Sequence, residues 1–273
     1  MRRFNLHTQH YPFIFLMLIL LSYVSGCTGE AENEIPSSRL IITLVDSPAD
    51  YHELNVDIRE ISIQMDAITE NDGWIKLDEF TPGIYNILEF TGGQELPLAD
   101  LQVPPGNIVQ FKLKLGNKNT LVLGTHTSSL SLANNTVEGY KFSVNEAIPA
   151  GETMYYRIDF DAAKSIIQLN SSGQMVLKPV LKLLSDNKTG SISGEINPAE
   201  KNVLVNVISS NKVIASTYAP LHSSKFFLPG IESGIYDISF ESSDDSWQKY
   251  IRNVSVTTGQ NTDMGNFSME SDD

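Results

Sequence analysis

The chain holds one cysteine in 273 residues, Cys27, so no disulfide can form within it. Long apolar runs are also missing. The run from Phe13 to Val24 has 12 residues, and a helix needs about 20 to cross the hydrocarbon core of a bilayer. Positive charge is scarce. Beyond residue 26 the chain carries 17 Lys and Arg against 33 Asp and Glu, a balance of −16. With no Lys/Arg cluster in the linear sequence, this excludes nucleic acid as a partner, because phosphate binding depends on those cations. Histidine is sparse too: beyond residue 26 only His52, His126 and His222 occur, far apart. No HExxH pair, GxSxG elbow or glycine-rich loop followed by lysine is present. The expectation is a protein that is not an enzyme and needs no cofactor.

What is there begins at the N-terminus. Arg2 and Arg3 followed by the short apolar run form the n-region and h-region of a secretory signal. The tetrapeptide Val24-Ser25-Gly26-Cys27 resembles the lipobox of bacterial lipoproteins. The resemblance implies cleavage after Gly26 and a lipid on the Cys27 sulfur, which explains a thiol with no partner. Each buried methylene of an acyl chain contributes about 0.8 kcal/mol, and a single chain anchors only marginally. Lipoproteins of this type carry more than one. Residues 1–26 are thus expected to be a signal peptide and residues 27–38 a lipidated acidic tether. Glu30, Glu32 and Glu34 in that tether resemble the surface-export signals of some Bacteroidetes lipoproteins, with a plain solvated linker as the alternative. The expected location is the cell envelope, at the outer membrane, with the membrane contacted through the lipid.

Alternation of apolar and polar residues dominates the remainder. Leu54, Val56 and Ile58 share one face of a strand. The phase slips at Arg59-Glu60, predicting a bulge, before Ile61, Ile63 and Met65 resume it. Asn71-Asp72-Gly73 marks a turn. Strands are predicted over residues 84–90, 108–115, 153–160 and 177–184, with Pro179 suited to a sheet edge. One helical turn or a short helix is predicted over residues 162–169. After a linker at 186–190, seven further short strands follow. The fold class predicted is all-β: two β-sandwich-like domains in tandem, residues 39–184 and 185–273, after the cleaved signal peptide. The stretches GIYNILEF and GIYDISF look alike, but their flanks do not align, which argues for independent use of one turn-and-strand pattern.

Residues 39–184 resemble the domain of unknown function 4382 family. The likeness rests on LVDSPADYHELNVDIREISIQ, IYNILEFTGG, DFDAAKSI and VLKPVLKLL. It implies a β fold common in bacterial lipoproteins and no particular reaction. Residues 189–268 resemble a carboxypeptidase-regulatory-like, prealbumin-type sandwich through GSISGEI, FFLPGIESGIYDISF and YIRNVSVTTGQNTDMGNFSM. That likeness implies a spacer, stalk or carbohydrate-binding module.

Three groups of side chains are candidates for binding. Asp46, Asp50, Glu53 and Asp57 lie within 12 residues and could gather around Ca²⁺, which takes six to eight oxygens. The competing reading is a solvated loop, with Asp57 on the strand face away from the core. Asp159 and Asp161 share a strand face, but Asp161 precedes Ala162-Ala163 and suits a helix N-cap. Trp74, Trp247 and Tyr250 could stack on sugar rings, and core packing is the competing fate. The expected function is a non-catalytic binding or assembly module that meets another envelope protein. The alternative is a carbohydrate-binding surface lipoprotein that uses its C-terminal sandwich.

Overall fold

A computed structural model describes residues 35–268, apart from 48, 50, 134–137, 170–173, 198–201, 220–223 and 244–246. The signal segment, Cys27, Asp50 and His222 lie outside the described residues. From Ile35 onward the described residues form one compact unit. No helix among them is long and apolar enough to cross a membrane.

In chain order the strands are β1 Ser38–Ser47, β2 Glu53–Met65, β3 Trp74–Lys76, β4 Gly83–Asn86, β5 Leu96–Val103, β6 Gly106–Leu115, β7 Asn119–Leu123, β8 His126–Leu132, β9 Tyr140–Ile148 and β10 Thr153–Asp161. A single turn of helix, α1 Ala162–Ser165, separates them from β11 Ile166–Gln168, β12 Met175–Leu177 and β13 Leu181–Ser185. The C-terminal group comprises β14 Gly190–Asn197, β15 Val203–Ser209, β16 Lys212–Ala219, β17 Lys225–Ile231, β18 Gly234–Ser242, β19 Gln248–Val256 and β20 Asn261–Ser268. The chain is all-β, as its periodicity requires.

The first group makes two sheets. One runs β13-β10-β1-β5, and the other runs β11-β12-β8-β7-β2-β6-β9, with β3 and β4 also paired to β2. Leu40, Ile42 and Leu44 of β1 meet Leu54, Val56, Ile58, Ile61 and Ile63 of β2 in one core, with Phe111, Tyr156 and Phe160. Each such side chain contributes roughly 1.5–3 kcal/mol when fully buried. The second group also makes two sheets, β17-β14-β20 and β16-β15-β18-β19. Their core is separate, and Phe226, Phe240 and Phe267 pack ring against ring within it.

The register shift in β2 falls between Ile58 and Glu60, where the alternation slips. Elsewhere the structure departs from the sequence reading. The predicted strand 84–90 ends at Asn86, whose Oδ1 accepts the Leu54 N–H at 3.1 Å. The chain then coils through a 3₁₀ turn at Ile87–Glu89 that buries Ile87. Of the two forms expected within 162–169 the single helical turn is the one present; it stops at Ser165, because Ile166-Ile167, stiff at χ1, pair with β12. Pro179 splits the predicted strand 177–184, and the Val180 N–H goes to Ser165 Oγ at 2.9 Å. The stretch 186–190 is pinned rather than loose: Asp186 pairs with Arg157, Asn187 Oδ1 accepts the Tyr155 N–H at 3.2 Å, and Lys188 reaches Glu146 at 2.5 Å.

Asp57 corrects another expectation. It points off the core face of β2, yet it is fully buried. The chain at residues 116–119 folds over it. Arg59 Nε lies 2.7 Å from one carboxylate oxygen, and the Lys118 N–H donates to the other at 3.2 Å. Asn119 Oδ1 accepts the Asp57 N–H at 2.8 Å. This carboxylate holds a loop on a sheet and faces no solvent.

Candidate functional site

A cavity of about 740 Å³ lies between the two cores. Three sheet-end strands border it: β13 from the first group, and β16 and β17 from the second. Contacts across the junction include two between side chains. The Arg157 guanidinium sits 5.3 Å from the Phe227 ring centre, and Thr91 Oγ1 lies 3.3 Å from Thr217 Oγ1. Leu184 packs directly over Gly230, which has φ +76°. A Cβ there would come within 2.6 Å of a Leu184 methyl, so both the backbone and the space require glycine.

The charged groups beside this cleft are largely committed to structure. Arg157 is held by Glu95 at 2.7 Å and by Asp186, and these partners raise its pKa further against the cost of burial. Asp161 caps α1, accepting the Lys164 N–H at 2.9 Å and the Lys164 ammonium at 2.6 Å. This is the capping role its sequence position suggests. The wall from β16 carries two large apolar side chains among its polar ones. Val213 and Ile214 of β16 are 57% and 50% exposed. They sit where a register shift against Val207 and Ile208 leaves Ile214 unmatched.

Two of the acids proposed for Ca²⁺, Asp46 and Asp57, are buried rather than solvated. Asp46 lies near the end of β1 and pairs in register with buried Phe160. It continues the alternating core-facing series Leu40, Ile42 and Leu44, so its side chain turns inward rather than toward the loop. It is only 9% exposed, and its Oδ1 has no hydrogen-bond partner. Burial first, then the nearby charges of Asp159 and Asp161, push its pKa up to about 9, against the Ala162 N–H, which favours the charged form. Glu53 is exposed at the start of β2, where it accepts from Asn55 at 2.9 Å. Among the described residues no group of three or more His, Cys, Asp or Glu is arranged to hold a metal ion.

The three aromatic candidates do not converge. Trp247 packs on the second core, with its ring centre 6.4 Å from that of Phe240. Tyr250 is 47% exposed, donates to Asp237 at 3.2 Å, and lies 5.1 Å from the Arg252 guanidinium. A shallow hollow of about 240 Å³ beside Tyr250 is lined also by Ile208, Glu241 and Lys249. Trp74 stands apart, on β3 of the first group, half-buried beneath lysines that linear spacing does not place near it.

Comparison with solved structures returns loosely similar β-rich proteins. The TIE protein of Bacillus anthracis is 12% identical over 86% of this chain, with a TM-score of 0.20. The shaft pilin SpaA of Lactobacillus rhamnosus GG is 10% identical over 86% of this chain and 100% of its own, at 0.22. A fimbrial protein of Bacteroides ovatus is 9% identical over 86% of this chain, at 0.23. The chain spans 34% of the first and 51% of the third. No curated protein matches it. A family model does match, over residues 37–179, which is more than half of the sequence. The chain therefore belongs to the family described as Domain of unknown function (DUF4382).

Proposed function

We propose that this is a lipid-anchored protein of the bacterial cell envelope that acts as a non-catalytic binding or assembly module. In this reading Cys27 carries the lipid, residues 28–38 are the tether, and the C-terminal pair of sheets is a carboxypeptidase-regulatory-like sandwich serving as a spacer. One observation carries the binding role: Val213 and Ile214, both half-exposed, lie on a sheet-end strand that borders the cleft. An unpaired strand edge offers N–H and C=O groups to an incoming strand, and proteins usually guard such edges with charge. Here the guard is a bulge flanked by apolar side chains, which suits contact with another envelope protein.

The test combines two changes in cells that make the full chain. Cys27→Ser should release the protein from the membrane fraction. A photo-crosslinking residue at position 214, with Cys27 intact, should give a discrete adduct that is missing when the same residue replaces exposed Ile84 on β4. Retention of the Cys27→Ser chain in the membrane would refute the anchor. Identical labelling from both positions would refute the strand-edge contact.

A further inference from the structure

The outer face of the large sheet of the first group gathers positive charge on a chain that is otherwise acidic. Across β3, β2, β6 and β9 the register places Trp74, Gln64 and Gln110 in one row. The next row holds Lys76, Ser62, Lys112 and Lys141. Lys114, exposed, stands one further step along β6 on the same face. Four of the 17 basic residues beyond residue 26 thus share one patch of sheet.

Two features set this patch apart from a solvated sheet face. Lys112 and Lys141 are directly opposite each other on neighbouring strands, an arrangement that like charges disfavour. Both ammoniums lie in reach of the same indole, 4.7 and 5.6 Å from the Trp74 ring. Their carboxylate partners differ in kind. Lys112 is bonded to half-buried Glu60 at 3.3 Å. Burial alone would raise the Glu60 pKa, but hydrogen bonds from Lys112 and Ser62 and the charges of Lys112 and Lys114 hold it below the ordinary range. Lys112 is therefore neutralised in place. Among the described residues Lys141 and Lys76 pair with Glu138 and Asp78, which are 79% and 81% exposed; such pairs are weak and open to exchange. Gln64 and Gln110 are fixed by bonds to each other and to the Asp72 carbonyl, so the row beside the indole is rigid.

A rigid platform with an aromatic ring, amides and exchangeable ammoniums matches one chemistry closely: a sugar ring that carries an anionic group. We propose that the face around Trp74 binds an acidic polysaccharide, a pyranose packing against the part of the indole that the lysines leave open and Lys141, Lys114 and Lys76 taking its carboxylates. The site lies on a different module from the sandwich to which sequence resemblance assigned sugar binding. It goes beyond the anchored role proposed above and uses a different surface from the β16 edge.

The test uses the full chain carrying Trp247→Phe, which leaves Trp74 as its one tryptophan. Oligogalacturonate, a neutral oligosaccharide of the same length and polyglutamate are titrated while Trp74 emission is followed. Calorimetry on the unsubstituted chain repeats the titrations, so the result does not depend on the reporter. The expected result is a response to oligogalacturonate alone. Lys114→Gln with Lys141→Gln should weaken it by about tenfold, and added salt should weaken it further. An equal response to polyglutamate would reduce the patch to unspecific charge and overturn the proposal. A response to the neutral sugar, or none to oligogalacturonate, would overturn it as well. Failure here leaves the crosslink at position 214 standing, and the reverse holds equally.

Discussion

Asp46→Asn is expected to stabilise the protein on the order of 4 kcal/mol at pH 7. The carboxyl is nine-tenths buried, one oxygen has no hydrogen-bond partner, and its pKa is raised to about 9. In the unfolded chain it ionises near pH 4. Between pH 4 and 9 the unfolded state therefore gains by losing a proton that the folded state keeps. The contribution of this group to stability is highest in acid and falls as pH rises through that window. Asparagine has nearly the same shape and no proton to lose. Denaturant titrations should show the two proteins equal near pH 4 and diverging steadily toward pH 9. A gap that does not change with pH would mean that Asp46 is ionised in the fold. The groups facing it are Asp159, Asp161 and the Ala162 N–H, and only the last favours the charged form.

Phe240→Ala should cost about 3–5 kcal/mol, with the loss confined to the C-terminal sheets. Phe240 is fully buried, and its ring lies 5.6 Å from Phe226, 4.9 Å from Phe267 and 6.4 Å from Trp247. Removing it empties the centre of that core. The first core shares none of these side chains. Hydrogen exchange should accordingly show β15 and β18 losing protection while β1 and β2 keep theirs. Equal loss in both groups would show that the two cores unfold as one cooperative unit.

The residues legible in sequence are those whose neighbours along the chain decide their fate. The β2 alternation, its slip at Arg59-Glu60 and the Asp161 cap all follow from local spacing. Strand β5 escapes such a reading because Leu98 and Ala99 are buried side by side, next to a register shift in β1, so no two-residue period survives. Alternation also reveals the face of Asp57 and not what covers that face, since residues 116–119 lie far along the chain. Asp46 eludes it for a similar reason: the acids that raise its pKa come from β10, more than a hundred residues away. The gathering of Lys112 and Lys141 at Trp74 depends on the pairing of β3, β2, β6 and β9, and linear order does not encode that.

The place of β1 has a mechanical consequence. It is the first strand of the described chain and yet an inner one, parallel to β10 on one side and antiparallel to β5 on the other. A pull applied along its axis at Ser38 works against two ladders at once. Those bonds run across the strand, so they must slide together rather than peel apart one by one. A handle placed there resists a steady tug far better than one attached to an end strand.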